Sequence, residues 1–504
     1  MLLTVLNFTL AESFAKEQPK ESEESSHAHF TLGSGPYGIT FGNSRRAVGL
    51  RLNIIDEDVE EVLGVNITFW KPGRSPEARM AGLLFGLYGP SGATLEYLPI
   101  GLLAVRAEDE INGIALAGLA VANKGYMRGI SIGGLASVAE DHSMGISLGG
   151  LASVTGGNMS GISIGGLATV IDGRLDGIAA GGLANVINSD VSGIAVAGLA
   201  NVVNGDLSGI AAGGLANVTD GKVDGITLGG LANVAEGGLT GISFGGLANV
   251  ASGNVSGITL GGLANVCEGD MSGFSIGGLA NVAEGSASGL TLGGLANVAE
   301  GDMTGLSFGG LANVAEGRLT GITAAGLANV GQRDITGLTA AGLVIVSEGN
   351  ATGLQAAGGG IQVDGNLLGI SAGVIGILTW EGYEENEFGD FGYFGIKADN
   401  AGPVTLHAID IAIDRKLAGL SVAGIDIRAG SITGLAAAGI LVRADRMRGF
   451  SAGAVNWFRE SQSGLSVGLV NRTGRLHGVQ IGLVNIVRDG HDWAEILPIV
   501  NARF

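Results

Sequence analysis

A chain of 504 residues with 94 glycines, only 8 prolines and 46% hydrophobic side chains is neither collagen-like nor a polar disordered coil, because collagen needs proline-rich Gly-X-Y triplets and disordered Gly-rich chains are polar. A formal charge of −20 argues against a nucleic-acid partner, since an acidic surface repels phosphates. The charge is uneven: residues 401–504 hold 11 Lys/Arg against 8 Asp/Glu, whereas the first 400 hold 16 against 39.

Residues 1–15, MLLTVLNFTLAESFA, have an apolar stretch closing on Ser13-Phe14-Ala15 and predict a signal peptide, although no basic residue precedes it. Residues 16–29 are acidic and Ser-rich, as expected of a disordered linker; the His27/His29 pair within it lacks a third ligand. Residues 30–112 carry longer elements and large side chains (Trp70, Tyr88, Tyr97) and predict an N-terminal cap region. Residues 113–378 form a regular array in which a glycine recurs every 16 residues from Gly113 through Gly369. The unit reads G-[IL]-x-x-[GA]-G-L-A-N-V-x-x-G-x-[VLM]-x, as in GISFGGLANVASGNVS from Gly241. Residues 379–418 are an insertion and irregular segment, residues 419–491 are degenerate repeats of 14–15 residues, and residues 492–504 predict a C-terminal cap.

So strict a period marks units that cannot fold alone and must stack. Each glycine costs a helix interior about 1 kcal/mol, so short Ile/Leu/Val strands turned by glycine remain. The predicted fold is all-β, a parallel β-solenoid of 16-residue coils with N- and C-terminal caps. Counting from the periodic glycine, large apolar residues recur at positions 2, 4, 7, 10 and 15. Their parity is mixed, so glycines at 1, 5 and 6 are expected to act as corners that aim all five inward. Position 9 is asparagine at Asn185, Asn201, Asn217, Asn233, Asn249, Asn265, Asn281, Asn297, Asn313 and Asn329. That row predicts an amide ladder along the axis, which Ser137, Ser153 and Thr169 continue less completely. The competing fold is an antiparallel outer-membrane β-barrel with one strand and turn per unit, ending in Phe504.

The closing units GLSVGLVNRTGRLH and GVQIGLVNIVRDGH run into DWAEILPIVNARF. Together with GLRLN (Gly49–Asn53) and GVNITFWKP (Gly64–Pro72), they resemble the bacterial surface repeat-containing proteins first named from Leptospira. The resemblance covers residues 38–504. It implies an exported protein at the cell surface or outer membrane of a bacterium, and it transfers no catalytic or binding residue.

Chemistry is sparse. Acidic residues recur at position 12 (Glu236, Glu268, Glu284, Glu300 and Glu316 among them) and at position 14 (Asp190, Asp206, Asp270, Asp302, Asp334). They read as solvated turn charges, because a catalytic pair needs two different environments; weak divalent-cation binding along the row is the sharper alternative. Cys267, the single cysteine, reads as a small buried filler. Trp380, Tyr383, Phe388, Phe391, Tyr393 and Phe394 interrupt the repeat and are the candidate contacts to a surface glycan or protein partner. Arg428 and Arg443 sit near them as a short basic edge or ordinary surface charge. No cofactor, metal centre or nucleic-acid partner is expected. The predicted function is a non-enzymatic structural or adhesive scaffold; a barrel pore and a polysaccharide-active β-helix enzyme are the alternatives.

Overall fold

The computed structural model describes residues 28–374, 395–488 and 495–504, which form strands and turns and no helix. The signal peptide, most of the linker and all six insertion aromatics lie outside the described residues. The chain divides into two units, Met1–Asn188 and Ser189–Phe504, and each is a parallel β-solenoid.

A regular coil of the second unit has two strands. Val255–Gly261 and Ala264–Cys267 are separated by the corner Gly262-Leu263, and Glu268–Asp270 make the turn into the next coil. Every residue pairs with its equivalent 16 positions away, Val255 with Leu239 and with Met271, Asn265 with Asn249 and with Asn281. Two parallel sheets therefore face each other across a thin interior. Antiparallel pairing among the described residues is confined to the hairpin His29–Ser34 with Tyr37–Gly42 and to Glu495–Arg503 on Val470–Val487. The parallel in-register ladders rule out the antiparallel barrel.

The inward aim of the apolar residues is the expectation that fails. Along Val255–Gly261 the buried residues are Val255, Thr259 and Gly261, while Ile258 faces outward and Leu260 shares its parity. On the short strand Asn265 and Cys267 are buried and Val266 faces out. Positions 3, 5, 9, 11 and 15 thus line the interior, and positions 2, 4, 7 and 10 line the outside. Space explains the inversion. A Cβ on Gly261 would lie 2.2 Å from the carbonyl oxygen of Ala264, so the sheets close on each other at this edge, where Gly, Ser, Thr, Ala and Asn predominate and Ile345, Gln355 and Ile361 are larger exceptions. The interior widens toward the turn, where position 15 holds Leu207, Met271, Met303 and Leu319, all buried.

Position 1 is not a corner either. Gly257 stands inside its strand at φ +104°, and a Cβ there would sit 2.2 Å from the Gly241 carbonyl oxygen. It kinks the long strand and lets successive coils close up.

In the first unit the strands Arg46–Asn53, Glu61–Thr68, Arg79–Gly86 and Ser91–Gly101 already stack in parallel. Their core is larger, with Met80, Leu84, Leu95 and Ile111 buried. Tyr97 occupies the kink column between Gly82 and Gly113 at φ +73°, a conformation that ordinarily calls for glycine.

Candidate functional site

The interior is polar where it is narrow. From Asn201 to Asn329 each amide nitrogen donates to the Oδ1 of the next asparagine at 2.8–2.9 Å, eight links among the described residues. From Asn217 onward the same nitrogen also donates to the position-4 carbonyl of the following coil, as Asn265 does to Ile276 at 2.8 Å. All these asparagines are buried, so the row is a brace. It stops where Ile345 replaces asparagine. A shorter ladder, Asn456 to Asn471 to Asn485 at 2.8 and 2.7 Å, braces the GLVN coils.

Serine continues the ladder by a different path. In the first unit Ser137 and Ser153 reach the next coil through the position-3 serines of the facing strand, whereas Thr227–Ser243 and Thr291–Ser307 bridge one coil directly at 2.9 and 3.0 Å. The chain Ser131, Ser137, Ser147, Ser153, Ser163 zigzags between the sheets at 2.6–2.9 Å. Thr169 donates to the Ala180 carbonyl at 2.9 Å, and Asn185 to that of Ala179 at 3.3 Å.

The turn edge uses its carboxylates structurally. Asp206 Oδ1 accepts the Lys222 amide at 2.8 Å, Asp270 the Ser286 amide at 2.8 Å and Asp302 the Arg318 amide at 2.7 Å. The Asn350 amide holds the Asp334 carboxyl below the usual carboxylate range in the same way. Position 14 therefore caps the next turn, while the position-12 carboxylates stay exposed. No group of three metal-ligating side chains forms among the described residues.

The outer surface carries the least expected feature. Ile258, Leu306, Ile322 and Leu338 in one row, Leu228, Phe244 and Phe308 in the next, and the corner leucines Leu215 through Leu343 in a third are all large, apolar and exposed, the corner leucines at 43–47%. Between residues 189 and 374 there are 14 Asp/Glu and 3 Lys/Arg, every one at positions 12–16. The other eleven positions of the coil carry no charge. Where position 4 becomes Ala324, Ala340, Ala356 and Ala372, the rows sink into an open apolar groove of about 730 Å³.

Three irregular clusters remain. In the first unit Arg51, with no exposed surface, pairs with the equally buried Asp56. Asn43 accepts from Arg51 at 2.9 Å, and Thr68 donates to Asp56 at 2.5 Å and to Asn53 at 2.8 Å. The GLRLN and GVNIT segments thus supply Arg51, Asn53, Asn66 and Thr68 to a buried polar network around Asp56, in which Arg51 Nε has no partner among the described residues. In the second unit buried His407 receives the Ile409 and Asp410 amides on Nδ1 at 3.0 and 3.2 Å, so its proton is on Nε2, 3.2 Å from the Gly359 carbonyl. Burial holds the imidazole below its ordinary pKa. Burial and the neighbouring Asp426 raise the Asp410 carboxyl, and Arg428 donates to Asp426 at 2.7 Å. With both ring nitrogens engaged, His407 is a staple and not a base in waiting. Finally, Trp457 is stacked between Arg443 and Arg472, whose guanidinium carbons lie 5.3 and 4.8 Å from its ring. Arg428 and Arg443 are register neighbours, and the column continues through Trp457 to Arg472; the insertion aromatics expected beside them lie outside the described residues.

Fold and surface together define a repeat β-solenoid with stacked Asn and Ser interiors and a charge-sorted exterior. No protein-family model, curated protein or solved structure matches the chain.

Proposed function

We propose that the protein is a non-enzymatic structural or adhesive scaffold of a bacterial cell envelope, exported to the cell surface or outer membrane. The observation that carries this reading is the sorting of the repeated surface. One environment recurs coil after coil, with charge on one edge and apolar side chains elsewhere, and such repetition provides extent and not the unlike pair of groups that catalysis needs. The resemblance of GLRLN, GVNITFWKP and the GLVN units to the bacterial surface repeat-containing proteins supports the same assignment. In this reading Trp380, Tyr383, Phe388, Phe391, Tyr393 and Phe394 contact a glycan or protein partner. Fractionation of the producing cells, with protease shaving of intact cells, tests the location: recovery in the envelope and cleavage from outside are expected, and a wholly cytosolic protein overturns it. Deleting residues 380–395 should abolish surface binding, and undiminished binding removes those aromatics from the proposal.

A further inference from the structure

We propose that the charge-free side of the array between residues 189 and 374 inserts into the hydrocarbon of one leaflet of a lipid bilayer, leaving the acidic turn edge in water. The inference deepens the envelope assignment and rests on it only for its biological setting.

Four observations carry it. First, the apolar surface wraps three contiguous sides of the coil: the outer face of the long strand, the leucine corner and the outer face of the short strand. A second copy packed sheet to sheet would cover one face and leave the corner and the other face wet, whereas acyl chains cover all three. Contiguous apolar area on this scale marks an interaction surface.

Second, the amides of that side are already paired, and the corner-glycine carbonyl, which has no amide partner among the described residues, points at the glycine of the next coil. At the corner the Leu263 amide donates to the Leu247 carbonyl at 2.7 Å, Gly262 to Gly245 at 3.1 Å and Ala264 to Leu247 at 3.1 Å, and the same three bonds recur coil after coil. Only backbone closed on itself tolerates hydrocarbon. Along its sides this solenoid meets that condition for its amides.

Third, the depth fits. Five residues separate position 2 from the corner leucine at position 7, at most ~16 Å of extended chain. Half of a bilayer's hydrocarbon core is ~15 Å.

Fourth, the charge is on the correct side. The turn edge carries 14 acidic against 3 basic residues, so anionic headgroups repel it and nothing on this edge draws the array onto a charged surface. Binding must come from the apolar side, and it must favour neutral lipid.

The test uses the purified full-length chain and vesicles of phosphatidylcholine, with and without phosphatidylglycerol. Co-sedimentation with pure phosphatidylcholine, insensitive to salt and no stronger with phosphatidylglycerol, is expected. Replacing the outward residues Leu247, Leu263 and Leu279 by glutamate should lower partitioning at least ~100-fold with the circular dichroism unchanged. A second measurement holds if that variant fails to fold. In a Cys267→Ala background, an environment-sensitive dye on Leu263→Cys should be quenched by spin-labelled acyl chains, and a dye on Glu268→Cys should not. Three results overturn the proposal: no binding to phosphatidylcholine; a dimer that buries the Leu263 dye without lipid; or binding that needs phosphatidylglycerol and vanishes with salt, which assigns adsorption to basic residues elsewhere. Vesicle insertion by a protein found only in the cytosol would sink the envelope reading alone.

Discussion

Asn265→Ala is the most direct probe of what holds the coils together. Asn265 accepts from Asn249 at 2.9 Å, donates to Asn281 at 2.9 Å and donates to the Ile276 carbonyl at 2.8 Å. Alanine removes these three short bonds, and a longer one to the Thr259 carbonyl at 3.3 Å, at a site with no exposed surface. At about 1 kcal/mol net per bond the loss is about 3 kcal/mol. Asn329 ends its ladder, accepting from Asn313 at 2.8 Å and donating to Ala340 at 2.6 Å, so Asn329→Ala should cost about 2 kcal/mol on the same scale. Because a solenoid couples each coil mainly to its neighbours, the loss should be local. Hydrogen exchange of peptides spanning residues 249–281 should accelerate in Asn265→Ala, while peptides near Leu367 keep their protection. Equal losses at the two sites, or less than about 1 kcal/mol at Asn265, would refute the ladder as a brace.

Three further outcomes follow from single positions. Gly257→Ala should cost at least ~3 kcal/mol in urea unfolding, since it combines a left-handed φ with a backbone clash; Gly35→Ala, at φ +61° with nothing within 4 Å of its Cβ, should cost only about 1 kcal/mol. Burial pushes the Cys267 thiol up to about 11 from an ordinary 9.0, with Asp270 and Glu284 adding. The unfolded thiol therefore ionises first, so stability should fall as pH rises from 9.0 toward 11. Cys267→Ala should flatten that slope, and alkylation of the wild-type thiol at neutral pH should require unfolding. His407 has the opposite sense: its folded pKa lies below 6.5, so its contribution is present above that pH and is lost as pH falls below it. A His407→Gln protein whose unfolding midpoint keeps the wild-type slope below pH 6.5 would refute the buried neutral imidazole.

The period, the parallel stacking and the asparagine ladder are legible in the sequence because each is a repeated identity. The inside and outside of the coil are not legible from hydrophobicity, yet the sequence carries the signal that sorts them. An internal asparagine at position 9 forbids an internal valine at position 10 of the same strand, because side chains alternate. Position 15 shares the parity of 3, 5, 9 and 11 and not that of 2, 4 and 10. Those two facts select a small polar interior with one apolar column. The assumption that large apolar residues point inward hides this, and it fails here because glycine at position 5 closes the space they would need. The His407 staple and the Arg51–Asp56 pair bring together residues from separate strands that no repeat flags.

The uneven charge of the chain finds its cause in one register column. Position 10 faces outward on the short strand and is valine through most of the array. Beyond Val346 the column runs Gln362, Lys397, Ala412, Arg428, Arg443, Trp457, Arg472, each paired with the last. An outer face that is apolar for many coils thus becomes basic and aromatic over a few, and the positive balance of residues 401–504 is in part this column made visible in composition. The inward column beside it changes over the same coils, from Asn329 to Ile345, Ile361, Ile396, Ile411, Ile427 and Val442. The asparagine brace resumes only at Asn456, Asn471 and Asn485. Inside, one uncharged side chain replaces another, so it is the outer column alone that gains charge, and that gain answers to the medium outside. A single medium around every coil would not require it. Coils that meet hydrocarbon and coils that meet headgroups and water would, since arginine and tryptophan are the side chains suited to that boundary.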